Sequence, residues 1–286
     1  MWLAAVTRNY DRDYGSGVIR LPLLGLIVIA LALATPFTTA TSARRLVVCA
    51  DPNYLPFSNQ AGQGFENKLV ELLARDLQAQ VEYVWQAQHG GYGRSALGQG
   101  RCDLWPGVAT GAGTVATTRP YYRSSYVFVT RADRPLAGLT LDDKRLKSLS
   151  IGLQTVGNDA MNRPPAHAIA RRGLTRNVHG YMHYDNYDWP NPPAGIVDAV
   201  ANRNIDVAMV WGPLAGYFAH QSAVPLRLEP VVPQSDGAEW PMAYDISLGV
   251  RRDDAALRDR IDRILQQDKP EIDALLQSYH ASEGLN

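Results

Sequence analysis

CADPNYLPFSN, residues Cys49 to Asn59, lies between an apolar strand and an amphipathic helix, and its reading decides the fold. The residues before it, Arg45 to Cys49, have the composition of a buried strand. Those after it place Phe65, Leu69, Leu72, Leu73 and Leu77 at helical spacing, which predicts a helix over 65–77 that packs one face. A buried strand that ends in an aromatic, proline-rich loop and feeds a helix is the opening unit of an α/β sheet. Ligands of such sheets sit at the C-terminal ends of the strands. Asp51, Asn53 and Tyr54 fall on that loop, where a carboxylate and an amide can receive the hydrogen-bond donors of a ligand. The same residues also suit a plain turn, with Asp51 capping backbone amides and Pro52 and Pro56 fixing the bend.

Outward from this stretch, strand and helix signals alternate. Val81 to Trp85 reads as a second strand, Tyr92 to Leu97 as a short helix ended by Gly98 and Gly100, and Cys102 to Val108 as a third strand. This order implies a parallel sheet. The β-rich segment from Tyr121 to Arg131 follows, and then the pattern restarts. Strands are expected at Leu149–Leu153 and Ile205–Val210, and helices at 166–172, 195–202 and 214–220. A return strand, Ala243 to Val250, and two amphipathic helices close the chain. The expected fold class is α/β, with two lobes joined by two strand-like crossings and a cleft between them. Lobe one takes residues 44–126 and 241–286, and lobe two with its hinge takes 127–240.

Residues 1–43 read as a cleaved signal peptide. Arg8, Arg12 and Arg20 form a basic start, Leu21 to Ala34 an apolar run, and Thr41, Ser42 and Ala43 a small-residue cleavage site. The apolar run is shorter than the roughly 20 residues a membrane span needs, so no span is expected in the mature chain and the location is the periplasm. Lys plus Arg and Asp plus Glu each number 28, so no basic face is implied and nucleic acid is not an expected partner. The chain has two cysteines, Cys49 and Cys102. An oxidising compartment favours a disulfide between them. Their offset along neighbouring parallel strands argues equally for two small core residues.

Four aromatics, Phe57, Trp105, Tyr122 and Trp211, fall near strand ends that face the cleft. They offer flat apolar area for a hydrophobic ligand or a protein segment, or they fill the cleft themselves. The segment 181–193, YMHYDNYDWPNPP, carries Tyr184, Tyr187 and Trp189 as candidate partner-binding residues, since rigid amphipathic side chains are what interfaces use. His179, His183, Asp185 and Asp188 match no zinc or EF-hand spacing, so no metal is expected. Arg119 and Arg123 are expected to satisfy carboxylates such as Asp103 or Asp245 at the hinge. No Gly-x-Ser-x-Gly, phosphate-cradling glycine loop or His-Glu-x-x-His occurs, so neither catalysis nor a cofactor is implied, and Glu66 or Asp51 alone does not make an enzyme.

Several of these motifs together resemble the periplasmic solute-binding proteins of ABC transporters, of solute-binding family 3. They are Asp51-x-x-x-x-Pro56-Phe57, Gly64-Phe65-Glu66-x-x-Leu69, Gly100-x-x-Asp103-Leu104, Arg119-Pro120-Tyr121-Tyr122, and Asp198-Ala199-Val200 with Asp206-Val207-Ala208. The resemblance implies the type II periplasmic binding protein fold. It also implies where an amino-acid ligand would be gripped, and both grips are missing. Residues 108–114 hold no arginine, and Trp211 follows the strand where an ammonium-binding aspartate belongs. A narrower likeness fits better. Cys49-Ala-Asp-Pro-Asn with Pro56-Phe-Ser-Asn, Thr117-Thr-Arg-Pro-Tyr-Tyr-Arg-Ser, and Trp211-Gly-Pro-Leu-Ala-Gly-Tyr are similar to the accessory proteins of quinoprotein (PQQ-dependent) methanol dehydrogenases, the MxaJ and XoxJ type. That likeness implies a non-enzymatic protein of methanol oxidation that partners the dehydrogenase. A receptor for a small organic solute in the cleft is the alternative.

Overall fold

In the computed structural model the described residues are 44–87, 92–155, 163–182 and 189–281. The expected leader, Tyr184 and Tyr187 lie outside them. Strand β1 (Arg44–Ala50) buries Leu46, Val48 and Cys49. Two short strands, β2 (Asn53–Tyr54) and β3 (Ser58–Asn59), form a hairpin in the loop beyond it. Helix α1 (Phe65–Leu77) then leads to β4 (Ala79–Trp85), which runs parallel to β1 from Arg44↔Ala79 to Ala50↔Trp85.

The start of α1 is set by close packing. A Cβ on Gly64 would lie 2.0 Å from the Phe57 carbonyl oxygen, so only glycine lets the helix begin against the loop. The Asn67 side-chain oxygen accepts from the amides of Gly64 and Asn59 at 3.1 and 3.0 Å, pinning the loop to the first turn. The apolar face, Phe65, Leu69, Leu72, Leu73 and Leu77, is buried as its spacing predicts. Gln78, in the left-handed region at φ 51°, ends the helix.

Helix α2 (Tyr92–Gly98) and β5 (Leu104–Ala109) complete the parallel unit, with Val48 opposite Leu104. Cys49 and Cys102 form a disulfide with Cα atoms 5.7 Å apart, both fully buried. This decides between the two readings of the sequence. The expected third strand begins two residues later than Cys102, because Asp103 docks on Val47 through its amide (2.7 Å) and its carboxylate (2.9 Å). Cys102 therefore stands outside the ladder, within reach of the end of β1.

After the short β6 (Ala116–Thr117) comes β7 (Tyr122–Arg131), the strand that joins the two halves. Its first part, Tyr122 to Ser125, pairs with β12 (Ala243–Val250). From Tyr126 on it pairs instead with β10 (Val207–Trp211) on one side and, from Val127, with β11 (Leu226–Pro230) on the other. In the second half β10 runs parallel to β8 (Ile151–Thr155), and β8 to β9 (Val178–Met182). The strand order is β4-β1-β5-β12-β7-β10-β8-β9. Two mixed sheets, each with three parallel strands (β4-β1-β5 and β10-β8-β9), thus meet at the antiparallel pair β7–β12, the two-lobe arrangement of a type II periplasmic binding protein.

Helices α3 (Pro164–Arg171), α4 (Gly195–Ala201) and α5 (Gly212–Gln221) belong to the second half. The closing helices α6 (Ala255–Gln267) and α7 (Lys269–Ser278) pack on α1 through Leu257, Ile261, Ile264, Leu265, Ile272 and Leu276. Strands β9 and β11 were not expected from sequence. Both are at most half-buried, so neither carries a clean apolar alternation.

Candidate binding cleft

The loop after β1 folds back on itself. Asp51 is buried, and its Oδ1 accepts from the Asn53 amide at 2.9 Å while its carbonyl accepts from the Ser58 hydroxyl at 2.8 Å. Tyr54 stacks on Phe57 with ring centres 4.8 Å apart, Phe57 meets Phe65 edge-on at 5.3 Å, and Phe65 meets Tyr122 at 5.9 Å. Phe57 is itself core, because Gly64 draws the loop onto the helix.

Tyr122 and Trp211 approach each other at the junction of the two halves, where the Trp211 side chain opposes the rise that burial gives the Tyr122 hydroxyl. Trp211 also packs edge-on against Tyr126 at 5.2 Å and near Tyr244 at 6.0 Å. Its amide donates to the buried Gln154 side chain at 2.9 Å. An aromatic contact therefore occupies the position where an ionic anchor was expected for an amino acid. Trp105 is placed apart from this pair. Its ring lies under Gly93, where a Cβ would come within 2.3 Å, and it packs with the disulfide cluster.

Beneath Tyr122 lies the buried Glu66. The Tyr121 hydroxyl donates to Glu66 Oε1 at 2.8 Å. Gly107 sits at φ +79°, and a Cβ there would lie 3.1 Å from Glu66 Oε1. Burial lifts the Glu66 carboxyl to about 7, against the opposing pull of the Tyr121 hydrogen bond. Burial also raises both tyrosine hydroxyls, so they remain protonated. Of the two arginines, Arg123 pairs with Asp245 at 3.1 Å as expected. Asp103 takes Arg251 at 3.0 Å instead, and the Arg119 amide donates to Asp262 at 2.7 Å. Thr110, in the stretch without an arginine, bonds Ser247 at 2.6 Å.

Open space lies at the rim. A cavity of about 660 Å³ is lined by Pro52, Asn53, Gln60, Trp85, Gln86, Trp189 and Pro190. Asn53 Nδ2 donates to the Trp189 carbonyl at 2.8 Å, tying the loop of the first half to the long loop of the second. Trp85 stacks on Tyr83 at 4.3 Å, and the Gln86 amide donates to Ala50 at 3.0 Å. Sequence reasoning named Asn53 and Trp189 but missed Gln60, Trp85 and Gln86. The signal was available for Trp85, which ends a strand parallel to β1 and so stands on the ligand side of the sheet. Among the described residues no group of three or more His, Cys, Asp or Glu is placed to hold a metal, and no helix is long and apolar enough to cross a membrane.

This architecture is that of a binding protein with two lobes around a cleft. The chain belongs to the bacterial extracellular solute-binding proteins, family 3, whose model matches residues 46–282. It is 33% identical over 241 residues to Protein MoxJ of Methylorubrum extorquens strain AM1, covering 82% of this chain and 80% of that protein. Among solved structures it is similar to the periplasmic binding protein XoxJ of Methylobacterium extorquens AM1, at 33% identity and TM-score 0.66, over 83% of this chain and 98% of that one. It is also similar to MxaJ of Methylophaga aminisulfidivorans MPT, at 28% identity and TM-score 0.70, over 82% and 98%.

Proposed function

We propose that this protein is a periplasmic, non-enzymatic accessory of a PQQ-dependent methanol dehydrogenase, exported by cleavage of the leader at 1–43 and acting by protein contact. The observation that carries this reading is the filled centre of the cleft. Tyr122 and Trp211 hold each other where a receptor of amino acids would present charges, in a chain similar to MoxJ, XoxJ and MxaJ. A zwitterion buried beside these aromatics would lose its hydration without paired charges in return. Lobes of 44–126 with 241–286 and of 127–240 fit the change of partners along β7. Small-molecule capture by Asp51, Tyr54, Phe57, Trp105, Tyr122 and Trp211 is not favoured. Tyr54 and Phe57 pack on each other, Tyr122 and Trp211 belong to the same packed core, Asp51 is bonded within its own loop and Trp105 packs with the disulfide cluster. Asn53 and Trp189 remain the candidates for contact.

The test is association. The purified dehydrogenase from the same organism should bind the mature protein in sedimentation or biolayer experiments. A panel of amino acids, amines and short organic acids should leave its melting temperature unchanged. A rise of several degrees with one such compound, and no binding of the dehydrogenase, would sink the reading and restore a transport receptor.

A further inference from the structure

The turn that ends α7 is attached to the first half but packs on the second. Its His280 amide donates to the Gln277 carbonyl at 3.0 Å, and its Ala281 amide to the Leu276 carbonyl at 3.0 Å. His280 sits between them in the left-handed region, at φ 55°. Many helices close with this hydrogen-bond pattern, and the left-handed position is then usually glycine. A side chain there costs conformational energy. The imidazole of His280 is therefore kept at a cost, and what it touches lies on the other half. It stacks face to face on His220, at the end of α5, with ring centres 3.8 Å apart.

Two further residues of α5 take part. Tyr217 stacks on Tyr279 with ring centres 5.9 Å apart. Gly216 meets the His280 backbone so closely that a Cβ there would lie 2.4 Å from the His280 carbonyl oxygen. Gly216, Tyr217 and His220 fall on one side of α5, because residues three and four apart are neighbours on a helix. The turn is anchored at its other end in the first half. The Tyr279 hydroxyl donates to the Gln63 carbonyl at 2.6 Å, its ring meets Phe65 edge-on at 5.9 Å, and Ala281 is buried. Two adjacent strands, β7 and β12, also join the halves, and strand crossings of this kind bend when lobes hinge. A packed contact carried by other elements opposes that bending. We propose that the turn Tyr279–Ala281 is a strap that clamps α5 of the second half to the first and holds the two halves at one angle. The cleft is then preset, whatever partner meets it.

The experiment measures the distance between the halves in the mature protein by pulsed electron spin resonance. Spin labels are attached at Gln80→Cys on β4 and Thr175→Cys before β9, both exposed positions. The native cysteines are held in their disulfide and take no label. His280→Gly keeps the left-handed turn and removes the ring. Gly216→Ala pushes the turn off α5 with a single methyl group. The expected result is one narrow distance peak in the labelled parent, widened about twofold or more in both variants as the strand crossings begin to bend. The melting temperature of His280→Gly should stay within about 3 °C of the parent, so the widening reports lost clamping rather than unfolding. If Gly216→Ala does not fold, Tyr217→Ala with His220→Ala takes its place, since it strips the seat of the strap from the α5 side. Two separated peaks in the parent would overturn the strap, because the halves would already move. Variants as narrow as the parent would overturn it too, because the turn would then hold nothing.

Discussion

The cleft has a closed middle and an open edge, and the two are built from the same residue types. In the middle, Tyr122 and Trp211 approach each other in one packed cluster, beside the buried Tyr121–Glu66 hydrogen bond. At the edge, Trp85 and Trp189 line a cavity that a side-chain-to-backbone hydrogen bond from Asn53 spans. The difference lies in what backs each ring. Trp211 ends a buried strand and is held through its own amide by Gln154, whereas Trp189 sits on a loop with most of its surface in water. An aromatic side chain at a strand end is therefore not by itself a ligand contact. It becomes one only where nothing in the chain covers it.

The sharpest way to break this contrast is to remove the middle. Trp211→Ala should cost about 3–4 kcal/mol of stability in urea denaturation, since it deletes a large ring packed against Tyr126 and Tyr244. A cost near that of an exposed substitution would mean the centre is not closed in solution. The next effect depends on pH. Glu66 has a folded-state value of about 7 against an ordinary value of 4.5, so the folded protein holds this proton more tightly than the unfolded chain. Stability from this group is then fully present below about pH 4.5 and is lost as pH rises through 7, by on the order of 3 kcal/mol. Glu66→Gln keeps an acceptor for Tyr121 without titrating. It should match the wild type near pH 4 and exceed it at pH 8. Equal denaturation midpoints at both pH values would show that Glu66 is not buried as described.

Local pattern made most of the fold legible. Helix α1 occupies the range expected from apolar periodicity because it buries one continuous face, and β12 occupies its expected range with five consecutive residues, Ile246 to Val250, buried on both faces. Strands β9 and β11 escaped because their side chains are only partly covered, which leaves little period to read. The cysteine pair was legible only as two alternatives, since the docking of Asp103 on Val47 is a long-range event that spacing does not encode. The site divided in the same way. Residues on the motif loop were found by position, yet Phe57 turned out to be core because a single glycine, Gly64, decides how the loop lies. The rim escaped notice because Gln60, Trp85 and Gln86 come from separate elements and share no motif.

Smaller effects sharpen the contrast from the open side. Asn53→Ala removes the hydrogen bond to the Trp189 carbonyl and should cost about 0.5–1 kcal/mol. Hydrogen exchange should rise at the backbone around residue 190 more than anywhere in β7, and a uniform rise over the whole chain would show that the bond is part of the core. Trp189→Ala carries the smallest expected cost, within about 0.5 kcal/mol, because a ring two-thirds in water gives up little on truncation. The value of that substitution lies in its pairing with Trp211→Ala. Both delete the same side chain, both sit where the halves approach each other, and they differ in whether the protein itself covers the ring. If the costs separate by several kcal/mol, with the cheap one alone weakening contact with the dehydrogenase, the open edge is the working surface and the middle is a strut. If the costs converge, the loop that carries Trp189 is packed in solution, and the edge offers no exposed indole for a partner to cover.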